Sequence, residues 1–363
     1  MDFGLTEEQR MLEQTLRGWL AEHLPIGRVR EIAASESGQD PAVWKGLAEL
    51  GMAGLLVDDE SGGGGLTLLD AALAMQSFAH AAAPVPYLGS SIVAPVALRL
   101  FGTEPQRRSW LPGLAAGTTQ IGVALGELTG RRGDANLRID GGRLAGSTLF
   151  AIDAGAADAF LVALDRDHLV LVPRDVAGLT VTPLVTIDRT RRLAELTFDG
   201  VVPADWLGGP AGVAGAGARV LAAARVAVAA DALGAAERAL EMAVAYAQQR
   251  EQFGRPIGSF QAVKHMCAEM VAELEPARAL VWYAAYAFDH RPEEALLVAA
   301  HAKAHLAEVA TGIVRTATEV YGGYGFTDEG DLHLWFKRAG LDRQLFGGPE
   351  AVRAEAAVLQ GLA

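Results

Sequence analysis

The chain changes its periodicity twice, and that change constrains the fold more than any single residue does. From residue 6 to about 116 the apolar residues recur at helical spacing, with Leu12, Leu16, Trp19 and Leu20 on one face and Val43, Leu47 and Leu50 on another. From about 118 to 206 the pattern shortens to runs such as FLVAL, HLVLVP and LAELTF, set apart by Gly, Asp and Pro, which signals antiparallel strands. After residue 216 long helices return. Val226, Leu233, Leu240 and Val244 mark one stripe, and a second helix starts with Ser259 as N-cap and runs through Val263, Met266, Met270 and Leu274. A third helix follows Pro292 and stops at Gly322 and Gly323. The reading is helices, a small β domain, then a helical bundle, with GGPAGVAGAG at 208–217 as the link into the bundle.

A chain of 363 residues suits two or three packed domains, and with half of its residues hydrophobic it can bury sizeable cores. The 31 basic and 44 acidic residues give a formal charge of −13, which argues against nucleic acid and anionic membrane surfaces as partners, though not against a local basic pocket. Cys267 is the only cysteine, so neither an intrachain disulfide nor a thiolate metal cluster can form. The start, MDFGLTEEQRMLEQTLRGWL, has no apolar segment of a signal peptide. Residues 71–98 hold no Asp, Glu, Lys or Arg, but Pro84, Pro86, Gly89 and Pro95 break the run, so buried helices and a loop are expected rather than a membrane span. A soluble, cytoplasmic protein is the expectation.

Several familiar devices are missing: no Gly-x-Gly-x-x-Gly after a strand, no phosphate-loop Lys, no Gly-x-Ser-x-Gly elbow and no His-Glu-x-x-His. His301 and His305 lie four apart, with Glu308 near them, but a polar helix face explains them better than a metal. SGGGGL at 61–66 reads as a flexible surface turn. Two other stretches are more informative. QQREQFGRPIGSFQAVK, residues 248–264, puts Arg250 at a helix end, Phe253 and Gly254 in a turn and Gln261 at the start of the next helix. TEVYGGYGF, residues 318–326, closes a helix on two glycines. Singly, these read as a helical hairpin and a C-cap.

Together, and in this order, they resemble the acyl-CoA dehydrogenase family over the whole chain. MDFGLTEEQ resembles the family's start, REQFGRPIGSFQ its Arg-x-x-Phe-Gly…Gln motif, and EVYGGYGF its Gln-x-x-Gly-Gly-x-Gly. The resemblance implies a mainly α fold: an N-terminal helical domain (1–117), an antiparallel, β-barrel-like middle domain (118–215) and a C-terminal four-helix bundle (216–363). It also implies FAD bound at subunit interfaces and removal of hydrogens from the α and β carbons of an acyl-CoA thioester, an oxidoreductase activity on a CH–CH bond. Such chemistry needs a positioned base in a dry pocket, donors to the thioester oxygen and a flavin to take the hydride.

Against this family the chain departs at the base. The family's Tyr-Glu-Gly-Thr maps to Phe346, Gly347, Gly348 and Pro349, so the base position is Gly347. The alternative position in some members, just before an Arg, maps to Ala224 before Arg225. Both are vacant. The loop that holds the flavin ring is replaced by GELTGRRGD at 126–134, and the ring-covering Trp-x-Ser/Thr-Asn by FAID at 150–153. What remains are the residues the family directs to the ADP half of a neighbouring subunit's FAD: Arg250, Gln252, Phe253, Gln261, Gly322 and Gly323, with Glu319 where the family has Gln. The resemblance therefore implies a base-less subunit of an α2β2 heteromer, completing the FAD site of a homologous catalytic subunit. The implied substrate is a bulky acyl-CoA, with a steroid side chain as the first choice, and an electron-transfer acceptor reoxidises the flavin. Two alternatives stay open: a homomeric enzyme that recruits Glu350 as base, and a flavin-free scaffold or acyl-CoA-binding protein.

Overall fold

The computed structural model describes residues 4–129, 136–203 and 205–362. Six helices precede the sheet: α1 (Glu7–His23), α2 (Ile26–Ala34), α3 (Pro41–Glu49), α4 (Leu68–His80), α5 (Ala94–Phe101) and α6 (Glu104–Ala115). α1 starts in a capping box, because Thr6 Oγ1 accepts the Gln9 amide while Gln9 Oε1 accepts the Thr6 amide. The charge-free stretch forms buried α4, α5 and a π-helical turn at Leu88–Val93, and no helix of the described residues is long and apolar enough to cross a membrane. The SGGGGL stretch is pinned rather than flexible: the amides of Gly63, Gly64, Gly65 and Leu66 donate to the carbonyls of Asp58, Gly54, Val57 and Leu55. Glycine-rich sequence left its backbone donors free to find partners in the turn before it.

The middle of the chain gives β1 (Ile121–Ala124), α7 (Gly126–Thr129), β2 (Arg138–Asp140), β3 (Arg143–Ile152), β4 (Ala159–Ala163), β5 (Leu169–Pro173), β6 (Leu179–Leu184), β7 (Leu193–Val201) and β8 (Asp205–Trp206). The strand order is β6-β7-β3-β1-β4-β5-β8, with β2 on β3. This corrects the expected antiparallel barrel in two respects. β1 and β4 run parallel, and among the described residues β6 and β8 end the sheet without closing it. Both parallel strands are buried at every residue, and continuous apolar runs such as FLVA announce a strand without its direction. A core of Phe160, Val162, Val170, Leu196 and Phe198 fills one side of the sheet.

The last part gives α8 (Ala216–Gln249), the short strands β9 (Glu251–Gln252) and β10 (Arg255–Pro256), α9 (Gln261–His290), α10 (Ala295–Tyr321), α11 (Leu332–Gln344) and α12 (Pro349–Leu359). Three of these helices, α8, α9 and α10, are long, and α9, α11 and α12 pack on α10. Ser259 is not the cap of α9. It sits in a 3-10 turn with its hydroxyl donating to the Pro256 carbonyl, and Phe260 takes the N-cap position.

By contacts the chain forms two compact units, one of Met1–Val29, Ala72–Ala83 and Val228–Ala363, the other of Arg30–Ala71 and Pro84–Ala227. In the first, α11 is bolted to α8 by a buried bidentate pair: Arg338 Nε and Nη2 reach the Asp231 carboxylate at 3.0 and 2.8 Å. Burial of both charges makes each depend strongly on the other, and Arg338 Nη1 also donates to the Ala83 carbonyl at 3.3 Å. On α8, Glu237 gathers Arg17 of α1 at 2.9 Å and Gln76 of α4 at 2.8 Å.

Candidate functional site

The site builds up at the C-terminal end of α8. The Arg250 amide donates to the Tyr246 carbonyl, so the helix delivers Arg250 at its last turn. The chain then reverses between β9 and β10 at Phe253 (φ 55°) and Gly254 (φ 75°). Two consecutive left-handed residues match the right-handed twist of a two-residue hairpin. The Ile257 amide donates to the Arg250 carbonyl at 2.8 Å and closes the loop. A bulky residue in left-handed conformation is strained, yet here it throws the Phe253 ring outward, 93% exposed. The edge of that ring meets Phe260 at 6.1 Å, and the Arg255 guanidinium covers the Phe260 face at 4.1 Å.

The second strip arrives on α10. Tyr321 stacks on Tyr246, centroids 4.2 Å apart, and its hydroxyl donates to the Met242 carbonyl. That contact holds the end of α10 beside the last turns of α8. Four residues beyond Tyr246 stands Arg250, and one beyond Tyr321 stands Gly322, so the hairpin and the glycine turn share one end of the bundle. Sequence reasoning missed this tyrosine pair, because neither helix's period announces a contact between residues so far apart in the chain.

The side chains of Arg250, Gln261 and Glu319 are exposed and have no hydrogen-bond or ion-pair partner among the described residues. Gln252 is also exposed, its amide nitrogen donating to the Glu251 carbonyl. Gly322 caps α10 at φ 64°, a conformation that suits glycine. Gly323 is different. Its φ is not positive, and a β-carbon built on it would meet no atom within 4 Å. Neither backbone conformation nor packing within this chain calls for glycine there. It leaves bare backbone open to a close approach from outside.

The vacant base position lies on the turn from α11 to α12. Phe346 (φ 57°) and Gly347 (φ 104°) are both buried, and the Gly347 amide donates to the Gln344 carbonyl. Lys303 Nζ holds the Arg343 carbonyl at 3.1 Å. Glu350 is turned to solvent, in the first turn of α12, with Oε1 2.9 Å from Arg343 Nη2. Its own backbone N–H and then Arg343 hold its pKa below the usual carboxylate range. A base for a weak carbon acid needs the opposite, a dry pocket that raises the pKa. Ala224 is buried within α8.

On the sheet, β3 slips register between Thr148 and Ala151, with Phe150 at φ 60° and 45% exposed. Asp153, at φ 58°, is buried and accepts the Gly89 amide at 2.7 Å. Its carboxylate thus serves the fold. Of GELTGRRGD, the first four residues form α7 and the rest lie outside the described residues. His301 and His305 form no metal group with their neighbours: Glu308 is taken by Arg353, Oε1 to Nη1 at 2.8 Å, and no cluster of three ligands occurs among the described residues.

Comparison with known proteins bears on these strips. Residues 6–118 match the acyl-CoA dehydrogenase N-terminal domain and residues 211–358 the acyl-CoA dehydrogenase C-terminal domain. Acyl-CoA dehydrogenase IpdE2 of Mycolicibacterium smegmatis is 33% identical over 95% of this chain and 96% of its own, and IpdE2 of Mycobacterium tuberculosis is 35% identical over 95% of each. This chain belongs to the acyl-CoA dehydrogenase family. Among solved structures, the ChsE4–ChsE5 complex from Mycobacterium tuberculosis superposes with a TM-score of 0.90 at 27% identity over 100% of both chains. The Tcur3481–Tcur3483 steroid acyl-CoA dehydrogenase, solved as a variant, gives 0.89 at 32% identity over 98% of both. Acyl-CoA dehydrogenases are FAD-dependent oxidoreductases acting on acyl-CoA. The residues present fit half of such a cofactor. A free Arg250 and bare backbone at Gly323 suit a pyrophosphate, while the FAID segment offers no hydroxyl and its carboxylate is engaged.

Proposed function

We propose that this chain is the base-less subunit of a heteromeric, α2β2 acyl-CoA dehydrogenase. It completes the FAD site of a catalytic partner subunit of the same family, which carries the base and the flavin-ring site. Arg250, Gln252, Phe253, Gln261, Glu319, Gly322 and Gly323 face the ADP half of that FAD. Gly323 is the observation that carries the reading, a glycine that no contact among the described residues calls for, at the same end of the bundle as an arginine with no partner among them.

The roles follow from chemistry. FAD, when bound, takes the β hydride of the acyl-CoA. In this chain Arg250 supplies charge-assisted donors to the pyrophosphate, and the glycine turn lets it approach the backbone. The exposed Phe253 ring covers apolar surface of the partner and keeps water from the cofactor's edge. Neither base position supplies a proton acceptor, since Gly347 and Ala224 have no carboxyl, and Glu350 is turned to solvent against Arg343. Similarity to the Tcur3481–Tcur3483 steroid enzyme supports a bulky acyl-CoA, with a steroid side chain as first choice; an electron-transfer acceptor reoxidises the reduced flavin.

Arg250→Ala in the co-purified heteromer tests the reading. Loss of charge-assisted bonds worth about 1.5–3 kcal/mol each lowers FAD affinity about tenfold or more. Unchanged FAD affinity in every heteromer the chain forms contradicts the assignment.

A further inference from the structure

A cavity of about 590 Å³ opens in the second compact unit, between the α2–α3 loop and the β6–β7 edge of the sheet. Val181, Pro183 and Leu193 give its apolar lining, Arg174 and Arg192 its cationic lining, and the exposed Glu36 its one acidic group. The volume is in the range of pockets for small organic ligands.

Both guanidinium groups are tethered by part of their donors. Arg174 Nη1 donates to the Ala154 and Ala157 carbonyls at 2.8 and 3.2 Å. Arg192 Nη2 donates to the Ala33 and Ser35 carbonyls at 3.2 and 2.5 Å, and its Nη1 to the Arg189 carbonyl at 3.1 Å. Arg174 Nη2 and the Nε of both have no partner among the described residues. A tethered guanidinium has already lost its rotamer freedom, so presenting its remaining N–H groups to a ligand costs little more. Burial, and then the neighbouring Arg189, push the Arg192 pKa down despite Asp188. Positive charge there is under-compensated, although the chain as a whole is acidic.

We propose that this cavity binds a small organic anion, a carboxylate or phosphate on an apolar body, separate from the cofactor site. Arg174 and Arg192 take the anionic head, and Val181, Pro183 and Leu193 take the body.

Calorimetric titration of the purified full-length chain at low ionic strength tests this, with octanoate, adenosine monophosphate and inorganic phosphate as probes. Saturable one-site binding of octanoate or the nucleotide is expected, weakened about tenfold in Arg174→Met and tightened severalfold in Glu36→Gln. Octanoate binding more tightly assigns a carboxylate ligand, the nucleotide a phosphate one. Glu36 is exposed and has no partner among the described residues. Glu36→Gln therefore leaves the fold intact and keeps the test decisive even where Arg174→Met does not fold. No saturable binding of any probe, or binding indifferent to both substitutions, overturns the proposal.

Discussion

Gly323→Ala separates the need for glycine in folding from its need in binding. In this chain a β-carbon at 323 meets nothing within 4 Å and φ is not positive, so the substitution changes stability by no more than about 0.5 kcal/mol. Gly322→Ala is the internal control. It also meets nothing, but its φ of 64° makes it cost about 1–2 kcal/mol. If a pyrophosphate lies against the backbone at 323, the added methyl pushes it off its donors. Losing one charge-assisted bond of about 1.5–3 kcal/mol weakens FAD about tenfold to a hundredfold. Urea unfolding of the chain gives the first quantity, and flavin fluorescence released on dilution of the heteromer gives the second. Gly323→Ala with native stability and poor FAD retention is the expected pair of results. Undiminished FAD retention would refute the argument that the bare backbone serves a ligand, and lost stability would mean the glycine serves the fold.

Gly347→Glu, which rebuilds a carboxylate on a buried turn at φ 104°, destabilises the chain by about 1–3 kcal/mol, and the chain assayed alone with acyl-CoA and an artificial acceptor stays inactive. Arg338→Met removes the bidentate guanidinium from the buried Asp231 carboxylate and costs about 3–5 kcal/mol in urea unfolding; a cost below about 1 kcal/mol would mean the pair contributes little to the fold. Phe253→Ala, at a side chain 93% exposed, leaves the chain's own unfolding unchanged but weakens heteromer assembly on size-exclusion chromatography. Burial raises the Glu237 pKa, but Arg17, Gln76 and Arg278 outweigh it and hold the pKa below normal. Its stabilisation is therefore present above the unfolded carboxylate pKa and is lost as pH falls through the folded value; urea midpoints measured from neutral to acid pH show the loss, and Glu237→Gln flattens it.

Much of this was legible in the chain. The α8–turn–α9 passage is written in the helix end at Arg250, Gly254 in the turn and Gln261, all local signals, whereas the left-handed Phe253 runs against local backbone preference. Pro349 at the first position of α12, with Glu350 behind it, is likewise a local feature. What failed was non-local. The direction of β1 against β4 depends on which strand lies beside which, and SGGGGL found fixed partners in Gly54 to Asp58 because its backbone, not its side chains, does the bonding. Ser259 lost the cap of α9 to Phe260 when its hydroxyl turned back to Pro256. At the site, the residue types were readable, but their assembly was not. The Tyr246–Tyr321 stack that brings Arg250 and Gly322 to one end has no local signature.

Flavin content tests the central claim most directly. Absorbance at the flavin band is measured on this chain purified alone and on the chain co-purified with its catalytic partner subunit. The account predicts a colourless chain alone and a yellow heteromer with one FAD per pair of unlike subunits. A chain that is fully occupied by FAD on its own, as a homo-oligomer, would contradict it.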